Sequence, residues 1–131
     1  MKQPFLYLII LADLTCIGTA SEAILLGYAA QVPRPPESEL SVLNPFAGRP
    51  DAALAGRKLF LRNCAHCHGR DGSGQRNAAN LRSAAVQSAP PGVLFWWIKN
   101  GNLRSGMPAW SSLPDQRIWQ MVTYIQSMDR E

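Results

Sequence analysis

The sequence predicts an all-α fold, one small domain of three to five short helices, and three observations carry that expectation. Apolar residues recur at helical spacing in two stretches, Ala53, Gly56 and Phe60 at i, i+3 and i+7, and Ile118, Met121, Val122 and Ile125 at i, i+3, i+4 and i+7. Proline at one end and Asn-Gly at the other bracket a third stretch, Val93 to Lys99. No run alternates apolar with polar residues as a half-buried strand would, and no segment repeats. With 131 residues the chain has room for one modest core, and folds of that size often depend on a metal, disulfides or another staple.

The chain opens with an expected export signal at residues 1–20. Lys2 supplies the charged start, Phe5 to Leu11 the apolar run, and Gly18-Thr19-Ala20 the small residues before Ser21, so cleavage is expected after Ala20. A retained membrane anchor is the alternative, because apolar residues resume at Ala23-Ile24-Leu25-Leu26-Gly27 and a span needs roughly 20 apolar residues. Asp13 and Glu22 oppose it, since a carboxylate at membrane depth is costly. Asp13 also stands where lipid attachment at Cys16 would want an aliphatic residue. Residues 21–50 read as a proline-rich linker or arm, with Pro33, Pro35, Pro36, Pro45 and Pro50 and no helical period. The folded domain is then expected over 51–131.

Pro50-Asp51 is a helix start, and the helix it opens runs into the cysteine cluster at 64–67. Gly56 in its interior costs about 1 kcal/mol relative to alanine, which makes sense where a second helix crosses close to the backbone. Gly69, Gly72 and Gly74 end this helix and turn the chain. They do not read as a phosphate cradle, because no strand precedes them and no helix start follows. A short helical piece is expected within Asn80 to Ser88. Pro90-Pro91-Gly92 opens the next helix and Asn100-Gly101 closes it. Its bulky centre, Val93-Leu94-Phe95-Trp96-Trp97-Ile98, should line a pocket. The last helix begins near Pro114-Asp115, with the carboxylate placed favourably for the helix dipole, and Tyr124 and Met128 widen its apolar stripe.

The chemistry gathers at Cys64-Ala65-His66-Cys67-His68. This C-x-x-C-H order is that of covalent haem attachment: two thiols reach the two vinyl groups of one porphyrin, and the following imidazole lies beneath the iron. Of the three cysteines the remaining one, Cys16, lies in the leader, so no disulfide framework is implied. Two rival uses of the motif make different demands on the rest of the chain. A thiol-disulfide oxidoreductase would use Cys64 and Cys67 as its C-x-x-C pair, but predicts a thioredoxin-like mixed sheet for which no strands exist. Zinc would find Cys64, Cys67 and His66 or His68, three ligands where a closed structural site wants four.

An iron held by His68 has a second axial position. Met121 and Met128 fall on the last helix, where methionine is ordinarily core filler. Met107 instead lies in the loop Gly101-Asn102-Leu103-Arg104-Ser105-Gly106-Met107-Pro108, between two helices. Gly106 removes bulk before it and Pro108 fixes the backbone after it. Met107 is therefore the expected distal ligand, a choice that favours electron transfer over reactions needing an open iron position. Phe60, Trp97 and Trp110 are the expected pocket walls.

Together these residues make the chain similar to the class I, single-haem bacterial cytochromes c. The resemblance covers roughly Asn44 to Met128. It includes Asn44-Pro45, Asp51 leading into Gly56-Arg57-Lys58-Leu59-Phe60, Cys64 to Gly69, Gly72-x-Gly74, Ile98-x-Asn100-Gly101, Gly106-Met107-Pro108-Ala109-Trp110, and Tyr124-Ile125. It implies one covalent haem c on Cys64 and Cys67, with iron between His68 and Met107. It also implies a crossing of the first and last helices through Gly56 and Phe60 against Met121 and Tyr124. Many members have a proline near Asn77-Ala78-Ala79-Asn80-Leu81 whose carbonyl accepts a hydrogen bond from the proximal histidine. No proline stands there in this chain, and a carbonyl of Ala78 or Ala79 is expected to take that role.

The resemblance implies an electron carrier, not an enzyme with bond chemistry of its own, in the periplasm or another extracytoplasmic space. A cytochrome subunit of a dehydrogenase complex is the variant of this reading. From Asp51 onward ten Lys or Arg face five Asp or Glu, and the arginines are scattered at 57, 62, 70, 76, 82, 104, 117 and 130 instead of forming a block. Export and scatter argue against nucleic acid. Docking to acidic faces of redox partners (a dehydrogenase, a respiratory complex or an oxidase) fits that balance.

Overall fold

A computed structural model of the chain describes residues 34–75 and 77–128. The expected export signal, the retained-anchor alternative and the first part of the linker lie outside the described residues. The fold below is that of the compact unit Pro35–Glu131. Among the described residues it consists of five α-helices and no strand: α1 (Pro50–Asn63), α2 (Ala65–His68), α3 (Ala84–Gln87), α4 (Pro91–Asn100) and α5 (Asp115–Gln126). Two 3-10 turns, Glu37–Ser41 and Leu103–Ser105, complete it. No helix of the described residues is long and apolar enough to cross a membrane.

Helix α1 starts at Pro50, whose fixed φ suits the first helical position and whose missing N–H costs nothing there. Its buried face is Ala52, Gly56 and Phe60, spaced i, i+4, i+8. Ala52 thus takes the place expected of Ala53, a shift of one residue within the same face. Helix α5 buries Ile118, Met121, Val122, Thr123 and Ile125. The two helices cross at Gly56, where a Cβ would overlap the Gln120 carbonyl and crowd the Tyr124 Cβ. Close approach, not flexibility, is therefore the reason for glycine here. One turn on, the fully buried Phe60 meets Tyr124 with ring centroids 5.3 Å apart. Met121 is fully buried as well, so the expected crossing is present.

Helix α4 packs against α5 through Phe95, which stacks on Trp119 at 4.3 Å. Its start, Gly92, lies so close to the first 3-10 turn that a Cβ would strike the Glu39 carbonyl and Val42. Gly101 ends the helix at φ 68°, a conformation that L side chains rarely adopt. Lys99 reaches Asp115 at 2.8 Å and joins the end of α4 to the start of α5. Both groups are substantially exposed, so the pair is worth about 0–1 kcal/mol.

The structure moves one expected boundary. The arm drawn over residues 21–50 is, from Pro35 onward, part of the same compact unit as the helices. The reason is a buried polar pair. Asn44 is 7% exposed, and its Nδ2 donates to Thr123 Oγ1 at 2.9 Å while its Oδ1 accepts the Phe46 N–H at 2.9 Å. The Thr123 hydroxyl in turn donates to the Trp119 carbonyl at 2.9 Å. The prolines mark residues 35–50 as lacking a long helix, and beyond the 3-10 turn at Glu37–Ser41 and the Pro50 start of α1 they have none; they do not mark the segment as anchored.

Candidate functional site

Cys64 is the joint between α1 and α2. Its N–H still donates to the Phe60 carbonyl at 2.8 Å, while its own carbonyl accepts the N–H groups of Cys67 and His68 at 3.1 and 3.0 Å. The motif is therefore helical, and residues three and four apart on a helix share a face. Cys64, Cys67 and His68 stand in that relation, whereas His66, two positions on, points elsewhere and is exposed. This is the physical content of the C-x-x-C-H spacing.

Cys64 and Cys67 are both free thiols. Cys64 is half-buried against the hydrophobic core, and burial, reinforced by the neighbouring Cys67, pushes its thiol up to about 11. A disulfide-exchange enzyme needs the opposite, a thiol depressed toward neutrality so that thiolate is present. Among the described residues no three His, Cys, Asp or Glu side chains gather as a bare metal site would require.

His68 is oriented from the opposite side of its ring. Its Nδ1 lies 2.9 Å from the Ala79 carbonyl. A carbonyl only accepts, so Nδ1 carries the proton in this contact and Nε2 is left as the basic nitrogen. The loop that brings Ala79 there closes through two backbone bonds, Gly74 N–H to the His68 carbonyl at 2.8 Å and Leu81 N–H to the Gly72 carbonyl at 2.7 Å. Of the two carbonyls expected, Ala78 or Ala79, the structure brings Ala79.

Met107 sits at the end of a pinned loop. It exchanges both backbone hydrogen bonds with Asn102, each 2.9 Å, and the Trp110 N–H donates to the Ile98 carbonyl at 3.1 Å, tying the loop's exit to α4. The other two methionines of the domain are engaged in packing: Met121 is fully buried in the helix crossing, and the Met128 thioether lies against Gly72. Phe60, Cys64, Met107 and Trp110 all meet the same hydrophobic core. Trp97 instead stands edge-on to Trp96 at 5.2 Å.

The residues present fit a covalent haem. Two unpaired thiols and a histidine with a free Nε2 share one helical face, and a half-buried thioether packs on the same core. Among the described side chains, the buried polar atoms without a partner are Asn63 Nδ2, next to Cys64, and Asn102 Oδ1, on the residue paired with Met107. Both orphans therefore adjoin the motif or its methionine loop. Neither asparagine carries a role that its sequence position signals, and nor does Gln87, a buried amide whose Nε2 donates to the carbonyls of Leu81 at 2.7 Å and Ile125 at 2.8 Å. A glutamine between Val86 and Ser88 carries no local sign that its amide is buried.

These features define a c-type cytochrome domain. The chain belongs to the family described as Cytochrome C oxidase, cbb3-type, subunit III, whose model matches residues 51–125. Among solved structures it is similar to cytochrome cL from the marine methylotrophic bacterium Methylophaga aminisulfidivorans, with 25% identity and a TM-score of 0.58 over 66% of this chain. The chain spans 59% of the length of that cytochrome. No curated protein sequence matches it. Membership of a cytochrome c family implies haem c as cofactor and haem-based electron transfer.

Proposed function

We propose that the chain is a single-haem electron carrier in which Cys64 and Cys67 attach the haem, His68 is the proximal iron ligand and Met107 the distal one. The observation that carries this reading is the His68 Nδ1 contact with the Ala79 carbonyl at 2.9 Å, which leaves Nε2 basic and aims the ring. Bound haem supplies a one-electron iron couple. His68, held through its other nitrogen, would present a well-oriented imidazole to it. Met107, a neutral thioether, raises the reduction potential and leaves no position open for exogenous ligands. The pinned 102–107 backbone keeps that thioether in place through the change of charge. Phe60 and Trp110 supply apolar wall on the core side and Trp97 a further aromatic edge.

The partners are redox proteins with acidic docking faces, and the family description favours a terminal oxidase among them. The working compartment is extracytoplasmic, reached through the signal expected at residues 1–20.

The test is spectroscopic. The reduced protein is expected to show sharp visible bands that survive acid-acetone extraction, a thioether-to-iron band when oxidised, and no reaction with carbon monoxide. Met107→Ala should abolish the thioether band and admit carbon monoxide. Ready binding of carbon monoxide by the unsubstituted protein would remove Met107 as ligand, and a colourless protein would sink the whole reading.

A further inference from the structure

We infer that Gln87 is a positioning residue for His68, holding in place the loop that presents the Ala79 carbonyl to the imidazole. The inference rests on the proposed role of His68 as iron ligand. Ala79 lies in a connection between α2 and α3, and the backbone from Asn77 to Leu81 contains no proline to stiffen it. The bond at Gly74 fastens the start of the loop to His68 at the end of α2 and the bond at Leu81 closes the loop on itself, but neither reaches α5. Gln87 does. It is 9% exposed, and both protons of its amide are committed, one to the Leu81 carbonyl at 2.7 Å and one to the Ile125 carbonyl at 2.8 Å.

These two carbonyls belong to different parts of the fold. Leu81 is the exit of the histidine loop, two residues after Ala79. Ile125 is in the last turn of α5, where carbonyls lack partners within the helix. Gln87 thus joins the loop to the helix that forms half of the central crossing. A methionine would fill the same space without the penalty of burying an amide, so the two hydrogen bonds are what the amide contributes. The Leu81 side chain packs on the same core, which leaves Ala79 little freedom to withdraw from His68.

The experiment compares full-length haem-loaded protein with Gln87→Met and, as a control for stability alone, Thr123→Val, which breaks the anchor of Asn44 and touches no part of the histidine loop. Three quantities are read: equilibrium unfolding, the reduction potential, and the solvent exchange of the His68 ring proton by NMR. Gln87→Met is expected to speed ring-proton exchange at least tenfold and to shift the potential upward, because a more weakly held imidazole is a poorer donor to iron. Thr123→Val should lower stability and move neither. If Gln87→Met leaves exchange and potential at their original values, Gln87 is only a packing residue and the inference falls.

If Gln87→Met yields no folded protein, Gln87→Glu decides. Its neutral acid keeps one donor and its carboxylate none, so protection of the His68 proton should fall as pH rises through the introduced group's titration. Protection that does not change over that range overturns the inference. Absence of covalent haem absorption from the unsubstituted chain overturns the reading of the site itself, and is recognised by its appearance in every variant.

Discussion

At the scale of single residues, the site is a matter of which atoms are left available. The Ala79 carbonyl occupies His68 Nδ1 and so reserves Nε2. Helical spacing sets Cys64 and Cys67 on the face of His68 and turns His66 away. A Cys64→Ala/Cys67→Ala chain is accordingly expected to lose all colour on acid-acetone extraction, with an intact mass lacking the haem increment. His66→Ala should change neither measurement. A second expectation concerns Asp71, in the turn after the motif, whose carboxylate accepts the Ser73 N–H at 3.1 Å and hydroxyl at 2.8 Å. These bonds hold its carboxyl below the ordinary carboxylate range. Because the folded value is lowered, the stabilisation is present above the ordinary carboxylate pKa and is lost as pH falls through the lowered one. An NMR titration should find Asp71 ionising below the ordinary carboxylate range, and Ser73→Ala should bring it back toward that range.

At the scale of elements, the crossing of α1 and α5 and the anchoring of residues 35–50 are the two joints that decide stability. Gly56→Ala drives a methyl into the Gln120 carbonyl, a backbone atom that cannot rotate away. Overpacking of this kind costs about 1–3 kcal/mol, measurable as a lower denaturant midpoint with an unchanged m-value. Phe60→Ala, which empties a fully buried ring site against Tyr124, should cost roughly 3–5 kcal/mol by the same measurement. Thr123→Val leaves the buried Asn44 amide unpaired, a loss of roughly 1–3 kcal/mol. The same change should make residues 35–50 more accessible to proteolysis than α1 or α5.

For the whole molecule, the relevant quantity is charge. The unit Pro35–Glu131 carries eleven basic against seven acidic side chains, and long-range attraction among exposed charges is screened within about 10 Å at 0.1 M salt. Electron transfer with an acidic partner should therefore slow steeply as ionic strength rises. A rate independent of salt would exclude electrostatic steering as the basis of recognition.

Much of this was legible because it is local. The periods of α1 and α5, the Pro50, Pro91 and Pro114 starts, and the C-x-x-C-H order all depend on residues within a turn or two of one another. Local backbone geometry turns such spacings into faces with little help from the remainder of the chain. The sequence by itself therefore determined an all-α cytochrome c domain and the face that presents two thiols and an imidazole. Gly56 even announced a helix crossing before its partner was known. What only the tertiary structure decided is how distant segments meet: that Ala79, eleven residues beyond His68, supplies the orienting carbonyl; that Gln87 is buried between Leu81 and Ile125; and that Asn44 reaches Thr123 and brings the proline-rich segment into the fold. The reason is that a backbone carbonyl is the same acceptor at every residue, and an amide side chain has the same donors whether exposed or buried. Which pair forms is set by where the packed helices carry their loops.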